Sequence, residues 1–205
     1  PSIWGIWAGY PQDIGQTSPQ SPHFFPCRPP VSRAILHRKG TQMTAPTLHR
    51  LTPLDDMRAV HALLMDAFAY MASRIDPPSS LLRMHPTDLA QAAATGEVWI
   101  AGDTARLTAR ATPMACMVLT ARADTLYLGK FAIAPPYRGR GLARQMIEHA
   151  AARARARGLA SVTLETRVEL SENQAAFCAL GFVETGRSAH AGYDAPTSIT
   201  YRRPA

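Results

Sequence analysis

The pattern of apolar and polar positions divides the chain into elements of two periods. Thr47 to Leu51 reads as a short strand. A helix start follows, with Thr52 as N-cap, Pro53 in the first position and Asp55 and Asp56 in the first turn. Val60, Leu63, Leu64, Ala67 and Phe68 then recur at helical spacing, which predicts a helix to about Met71. The prolines of Ile75 to Ser80 predict a loop, and Pro86 to Thr95 a second helix ended by Gly96. The period then shortens. Glu97–Ala101, Met114–Ala121 and Thr125–Ala134 read as strands, with a polar connection over 102–113 and Gly129 as a candidate bulge. Leu142, Met146, Ile147, Ala150 and Ala154 line one face of a helix over 141–157, and Gly158 stops it. A strand at Ser161–Thr166, a short helix at Glu172–Leu180 and strands at Phe182–Gly186 and Ser198–Arg203 complete the order β-α-α-β-β-β-α-β-α-β-β. This mixture predicts a single α/β domain with a mostly antiparallel sheet flanked by helices.

Composition changes the picture mainly at the N-terminus. Seven of the 17 prolines and two of the three tryptophans fall in residues 1–42, where no strand or helix period is found. That segment lacks the apolar core of a secretory signal. It is expected to be a disordered leader foreign to the native protein, with Met43 as the true start and 43–205 as the domain. At 46% hydrophobic and 18% charged, the chain has the make-up of a globular protein. No apolar run reaches membrane length, and three widely spaced cysteines without a CxxC pair argue against a disulfide scaffold or a zinc site. A cytoplasmic protein is the expectation.

Of the net charge of +7, residues 1–42 hold four bases and one acid, so the domain is only modestly basic. Six arginines nevertheless crowd between Arg138 and Arg157 against the single acid Glu148. Such a cluster attracts phosphate, on a nucleic acid or on a small cofactor. Most of these arginines read as a solvated helix face in a chain with 20 arginines and two lysines.

The chemistry concentrates in Tyr137-Arg138-Gly139-Arg140-Gly141-Leu142-Ala143, between an apolar strand and an amphipathic helix. Glycines there let backbone N–H groups converge, and the helix N-terminus adds positive potential, which together suit a pyrophosphate. A glycine-rich turn without a ligand is the alternative on spacing alone. The segment Phe131 to Ala143 resembles the acetyl-CoA motif of the GNAT acyltransferase superfamily, Arg/Gln-x-x-Gly-x-Gly/Ala, met here by Arg138, Gly141 and Ala143. Asn173, Phe177 and Leu180-Gly181-Phe182 are similar to a second family segment, Asn…Tyr…Leu-Gly-Phe.

The resemblance implies the GNAT fold and acetyl-CoA as cosubstrate, without a metal. It places the pyrophosphate on the backbone of Arg138, Gly139, Arg140, Gly141, Leu142 and Ala143. The pantetheine arm would lie along Phe131, Ala132 and Ile133, where that strand splays from its parallel neighbour, with Asn173 and Phe177 beside it. The family's usual general acid is a tyrosine at the position of Phe177, which has no proton to give. Tyr193 and Cys178 are the substitutes considered, and Glu165 is the expected base for the attacking amine. His190 is a further acceptor-side residue, as are Arg74, Asp76, Ser79 and Ser80 of the first inter-helix loop.

The function so implied is N-acetyl transfer to a primary amine of a small molecule or protein, by a monomer or homodimer independent of nucleic acid and membrane. The basic domain disfavours a polyamine acceptor. A CoA-binding module without turnover is the first alternative, and a nucleic-acid binder using the arginine face the second.

Overall fold

The computed structural model describes residues 46–102 and 113–205, so the expected leader and nearly all of the 102–113 connection lie outside the described residues. Among those residues the strands are β1 (Thr47–Leu51), β2 (Glu97–Gly102), β3 (Ala115–Arg122), β4 (Thr125–Ile133), β5 (Ser161–Arg167), β6 (Val183–Ser188) and β7 (Ser198–Pro204). The helices are α1 (Arg58–Phe68), α2 (Pro86–Thr95), α3 (Leu142–Ala156) and α4 (Ser171–Ala179). The strands form one sheet in the order β1-β2-β3-β4-β5-β7-β6. Every neighbouring pair is antiparallel except β4 and β5.

The alternating pattern of the strands sorts their side chains onto two apolar layers. Met117, Leu119, Leu126, Val162 and Leu164 pack with Met146, Ile147 and Ala150 of α3 on one face. Val98, Ile100, Cys116 and Val118 pack with Val60, Leu63, Leu64 and Leu89 of α1 and α2 on the other. Met146 and Ile147 are fully buried, as the 3.6-residue spacing requires of an inward stripe. Burial of each such side chain is worth roughly 1.5–3 kcal/mol.

Three local expectations are revised. Helix α1 begins at Arg58, well after Thr52. Thr52 and Asp55 close a turn instead, the Thr52 amide and hydroxyl donating to the Asp55 carboxylate at 2.6 and 2.7 Å. Local side-chain bonds of this kind compete with helix initiation. Gly96 ends α2 as expected, but for a steric reason, since a Cβ there would meet the Leu119 carbonyl at 2.6 Å. The bulge lies just past Gly129: Gly129 stays opposite Val118, whereas Lys130 and Phe131 together face Met117. Lys130 absorbs the extra residue at φ 47.

That bulge positions the site. The parallel pairing of β4 with β5 covers only Thr125–Tyr127 against Ser161–Thr163. Beyond it the strands diverge, because a bulge bends and twists the strand that carries it. Among the described residues, β4 from Leu128 onward remains paired to β3 on one edge and has no strand on the other.

Candidate active site

Past its last pair with β5, β4 runs through Phe131, Ala132 and Ile133 into a single 3-10 turn at Pro135–Tyr137. The loop to α3 then uses two left-handed glycines, Gly139 at φ 71 and Gly141 at φ 83, the latter capping the helix. No atom would lie within 4 Å of a Cβ at either position, so the requirement for glycine is conformational. The first-turn amides of α3, at Leu142, Ala143 and Arg144, have no acceptor inside the helix. Leu142 is buried in the core and anchors this end of α3, while Arg140 is exposed. The Arg138 guanidinium folds back to donate to the Ile133 carbonyl at 3.0 Å, tying the loop to the end of β4.

A cavity of about 680 Å³ lies on the α1/α2 side of the splayed strands. Of the expected residues, Phe131, Glu165, Asn173, Phe177, His190, Ser79 and Ser80 line it. Tyr193 does not line it. Its hydroxyl donates to Asp76 at 2.6 Å, and that bond, with burial, raises the phenol's pKa. Cys178 packs against the core beneath α3 and does not line the cavity. Arg74 pairs with Glu172 of α4, and neither lines the cavity.

Glu165 sits on β5 where the gap opens. Its side chain is 15% exposed, Oε1 lies 4.0 Å from the Arg122 guanidinium, and Oε2 is buried without a hydrogen-bond partner. Burial raises the pKa of this carboxyl, and the Arg122 charge only partly offsets it. The ion-pair partner is thus Arg122, which also stacks 3.6 Å from the Tyr127 ring centroid. Asn173 exchanges hydrogen bonds with the Tyr70 hydroxyl, which joins the turn after α1 to the start of α4. Phe177 meets Phe182 edge-on at 6.0 Å and presents no polar atom.

Sequence reasoning missed Tyr70, Arg122 and Lys130. Tyr70 and Arg122 reach the site through contacts between distant segments, which no local pattern carries. Lys130 did leave a signal, as the single lysine after residue 39. The arginine face was also misread in part. Arg153 and Arg157 turn onto Glu97, which is fully buried.

Paired left-handed glycines at a helix start, an unpaired strand edge and a cavity bearing one unpartnered carboxylate oxygen fit one ligand shape. It has an anionic diphosphate at one end and an extended amide-bearing arm. The residues present therefore accommodate acetyl-CoA.

No curated protein sequence matches the chain. Solved structures do. An acetyltransferase from Streptococcus agalactiae has TM-score 0.58 at 19% identity, covering 80% of this chain and 100% of that one. A GNAT family acetyltransferase from Elizabethkingia anophelis, solved with acetyl-CoA bound, has TM-score 0.55 at 16% identity over 80% and 100%. A spermidine N-acetyltransferase chimera from Vibrio cholerae and hSSAT has TM-score 0.57 at 18% identity over 78% and 96%. At such identities the likeness establishes the fold. The family model of the Acetyltransferase (GNAT) family matches residues 59–182, from the start of α1 to the Phe182 that closes α4, and so includes both the glycine loop and the splayed strands. With well over half of its length matched, the chain belongs to the GNAT acetyltransferase family.

Proposed function

We propose that the protein transfers an acetyl group from acetyl-CoA to a primary amine by direct attack of the amine on the thioester, within residues 43–205. The observation that carries this reading is the divergence of β4 from β5 after three paired residues, directly before a loop with two left-handed glycines. Acetyl-CoA supplies the activated acetyl group. Arg138, Gly139, Arg140, Gly141, Leu142 and Ala143 offer backbone amides and positive charge to its pyrophosphate, and the open edge at Phe131, Ala132 and Ile133 takes its amide arm. Asn173, held by Tyr70, and Phe177 border the arm.

Glu165 serves as the base that takes the amine's proton, directly or through water, using its unpartnered oxygen. Phe177 cannot protonate the departing sulfur, and Tyr193 is engaged by Asp76. A thiol with an ordinary pKa near 8.5 leaves as thiolate with modest need for an acid, so the reading does not depend on one.

Calorimetric titration of the full chain with acetyl-CoA and CoA tests the proposal. Micromolar binding is expected, together with thiol release over an amine panel. A folded sample that binds neither overturns it. Binding without thiol release over any amine favours the second reading, a non-catalytic CoA-binding module, for which Phe177 is the specific observation. The nucleic-acid reading loses support because Arg153 and Arg157 are committed to Glu97.

A further inference from the structure

We propose that the acceptor amine also carries a carboxylate, and that the Lys130 ammonium and the Ser80 hydroxyl receive that carboxylate inside the cavity. The inference rests on the transferase reading above and narrows its acceptor to amino-acid-like molecules.

The argument begins with an unusual residue at an unusual backbone position. In a chain with 20 arginines, Lys130 is the single lysine after residue 39. It occupies the bulge of β4 in a left-handed conformation, φ 47, which costs an L-residue about 1–2 kcal/mol relative to glycine. Bulges re-aim side chains, and this one sends Lys130 into the cavity rather than into either core layer. There Nζ donates to Ser80 Oγ at 3.3 Å.

The hydroxyl is neutral, so the charge is left unmatched. Among the described residues no carboxylate lies within ion-pair distance of Lys130, and burial lowers the ammonium's pKa. The cavity's own acids are directed elsewhere. Asp88 accepts from the His85 amide at 2.7 Å, and Glu165 faces Arg122. Arg83 also lines the cavity, so its mouth near Ser80 is positive. A desolvated cation without a counter-ion is costly, and an incoming anion recovers that cost. One ammonium and one hydroxyl match the two oxygens of a carboxylate.

The two sides of the gap then divide the work. The last parallel pair is Tyr127 with Thr163, and two residues further along each strand are Gly129 and Glu165, one position short of Lys130. A carboxylate for the amine's proton and an ammonium for the acceptor's carboxylate therefore flank the same opening. A polyamine would meet Lys130 with like charge.

The test uses the full chain with saturating acetyl-CoA. Thiol release is followed with the common L-amino acids and β-alanine, then with methyl esters, the decarboxylated amines, phosphoethanolamine and spermidine. The expected result is a kcat/KM at least about tenfold higher for a free amino acid than for its ester or decarboxylated amine. Lys130→Met should erase that preference while leaving acetyl-CoA affinity unchanged by calorimetry. It should also raise the thermal midpoint without ligand, because it keeps the stem's packing and removes the unmatched charge. Lys130→Arg should retain the preference in part. Turnover that ignores the carboxylate, or that prefers phosphoethanolamine or spermidine, overturns this inference alone. A lowered midpoint in Lys130→Met also counts against it, since a lysine that merely braces Ser80 would behave so. Failure to bind acetyl-CoA, by contrast, takes down the transferase reading itself.

Discussion

The role proposed for Glu165 follows from what that side chain lacks. Most carboxylates near the cavity are satisfied: Asp88 by a backbone amide, Glu172 by Arg74, and Asp76 by the Tyr193 hydroxyl. Among the described residues that line the cavity, Glu165 is the carboxylate that has a buried, unpartnered oxygen. Burial lifts its pKa above the ordinary glutamate value, with the Arg122 charge opposing. A carboxylate with a raised pKa acts as a base only above that pKa. Activity should therefore fall on acidification through it, in addition to the loss caused by protonation of the amine substrate. Glu165→Gln should lower kcat/KM by about 10²–10⁴-fold and remove the added acidic limb. Arg122→Gln should move that limb to higher pH, since the opposing charge is gone. A pH–rate profile unchanged in Glu165→Gln would take the residue out of the proton path.

At the scale of elements, the loop between β4 and α3 can be probed through Gly141. Its φ of 83 strains any L-residue, and nothing else crowds the position. Gly141→Ala should cost about 1–2 kcal/mol of stability through backbone strain. Aspartate tolerates the left-handed region better than alanine, so Gly141→Asp should fold no worse. It nevertheless places a carboxylate where the pyrophosphate is proposed to sit. Acetyl-CoA affinity should therefore drop at least tenfold more in the aspartate variant than in the alanine variant, by calorimetry. Equal affinities would refute the cradle. The elements themselves were legible in sequence because a period of 3.6 survives where one helix face is buried, as along α3, and a strand buried on both faces, such as β3, leaves a short continuous apolar run. The start of α1 was not, since the Thr52–Asp55 turn mimics a capping sequence. Gly129 pointed to the bulge, yet the extra residue fell on Lys130, because a bulge is fixed by strand pairing that sequence alone does not reveal. The glycine loop and Phe177 could be read locally. Tyr70 on Asn173 and Arg122 beside Glu165 depend on packing between distant segments, so they emerged only in three dimensions.

For the whole molecule, the most consequential buried charge lies far from the cavity. Glu97 opens β2 on the face covered by α3 and is fully buried. Arg153 donates to it at 2.8 Å, Arg157 joins from the end of the same helix, and Trp99 Nε1 donates at 2.6 Å. Burial alone would raise this carboxyl's pKa. The hydrogen bonds from Arg153 and Trp99 and the two arginine charges outweigh it and hold the pKa at about 2. The clamp thus fixes the C-terminal end of α3 to the sheet, while the N-terminal end, about 22 Å away by helical rise, carries the glycine loop. A depressed carboxylate pKa adds stability that is fully present above the unfolded value of 4.5 and is lost as pH falls toward about 2. Its size is on the order of 3 kcal/mol at neutral pH. Glu97→Gln leaves two arginines without their counter-ion and should destabilise the domain by at least about 3 kcal/mol at pH 7. Denaturant titrations of the two proteins at pH 7 and near pH 3 check this. The gap between them should narrow by about 2 kcal/mol at the lower pH, because the unfolded wild-type chain then gains a proton that the folded one refuses. A gap that stays constant would mean that Glu97 acts through packing and neutral hydrogen bonding alone. The arginines of α3 would then have no electrostatic part in holding the helix whose far end forms the proposed phosphate site.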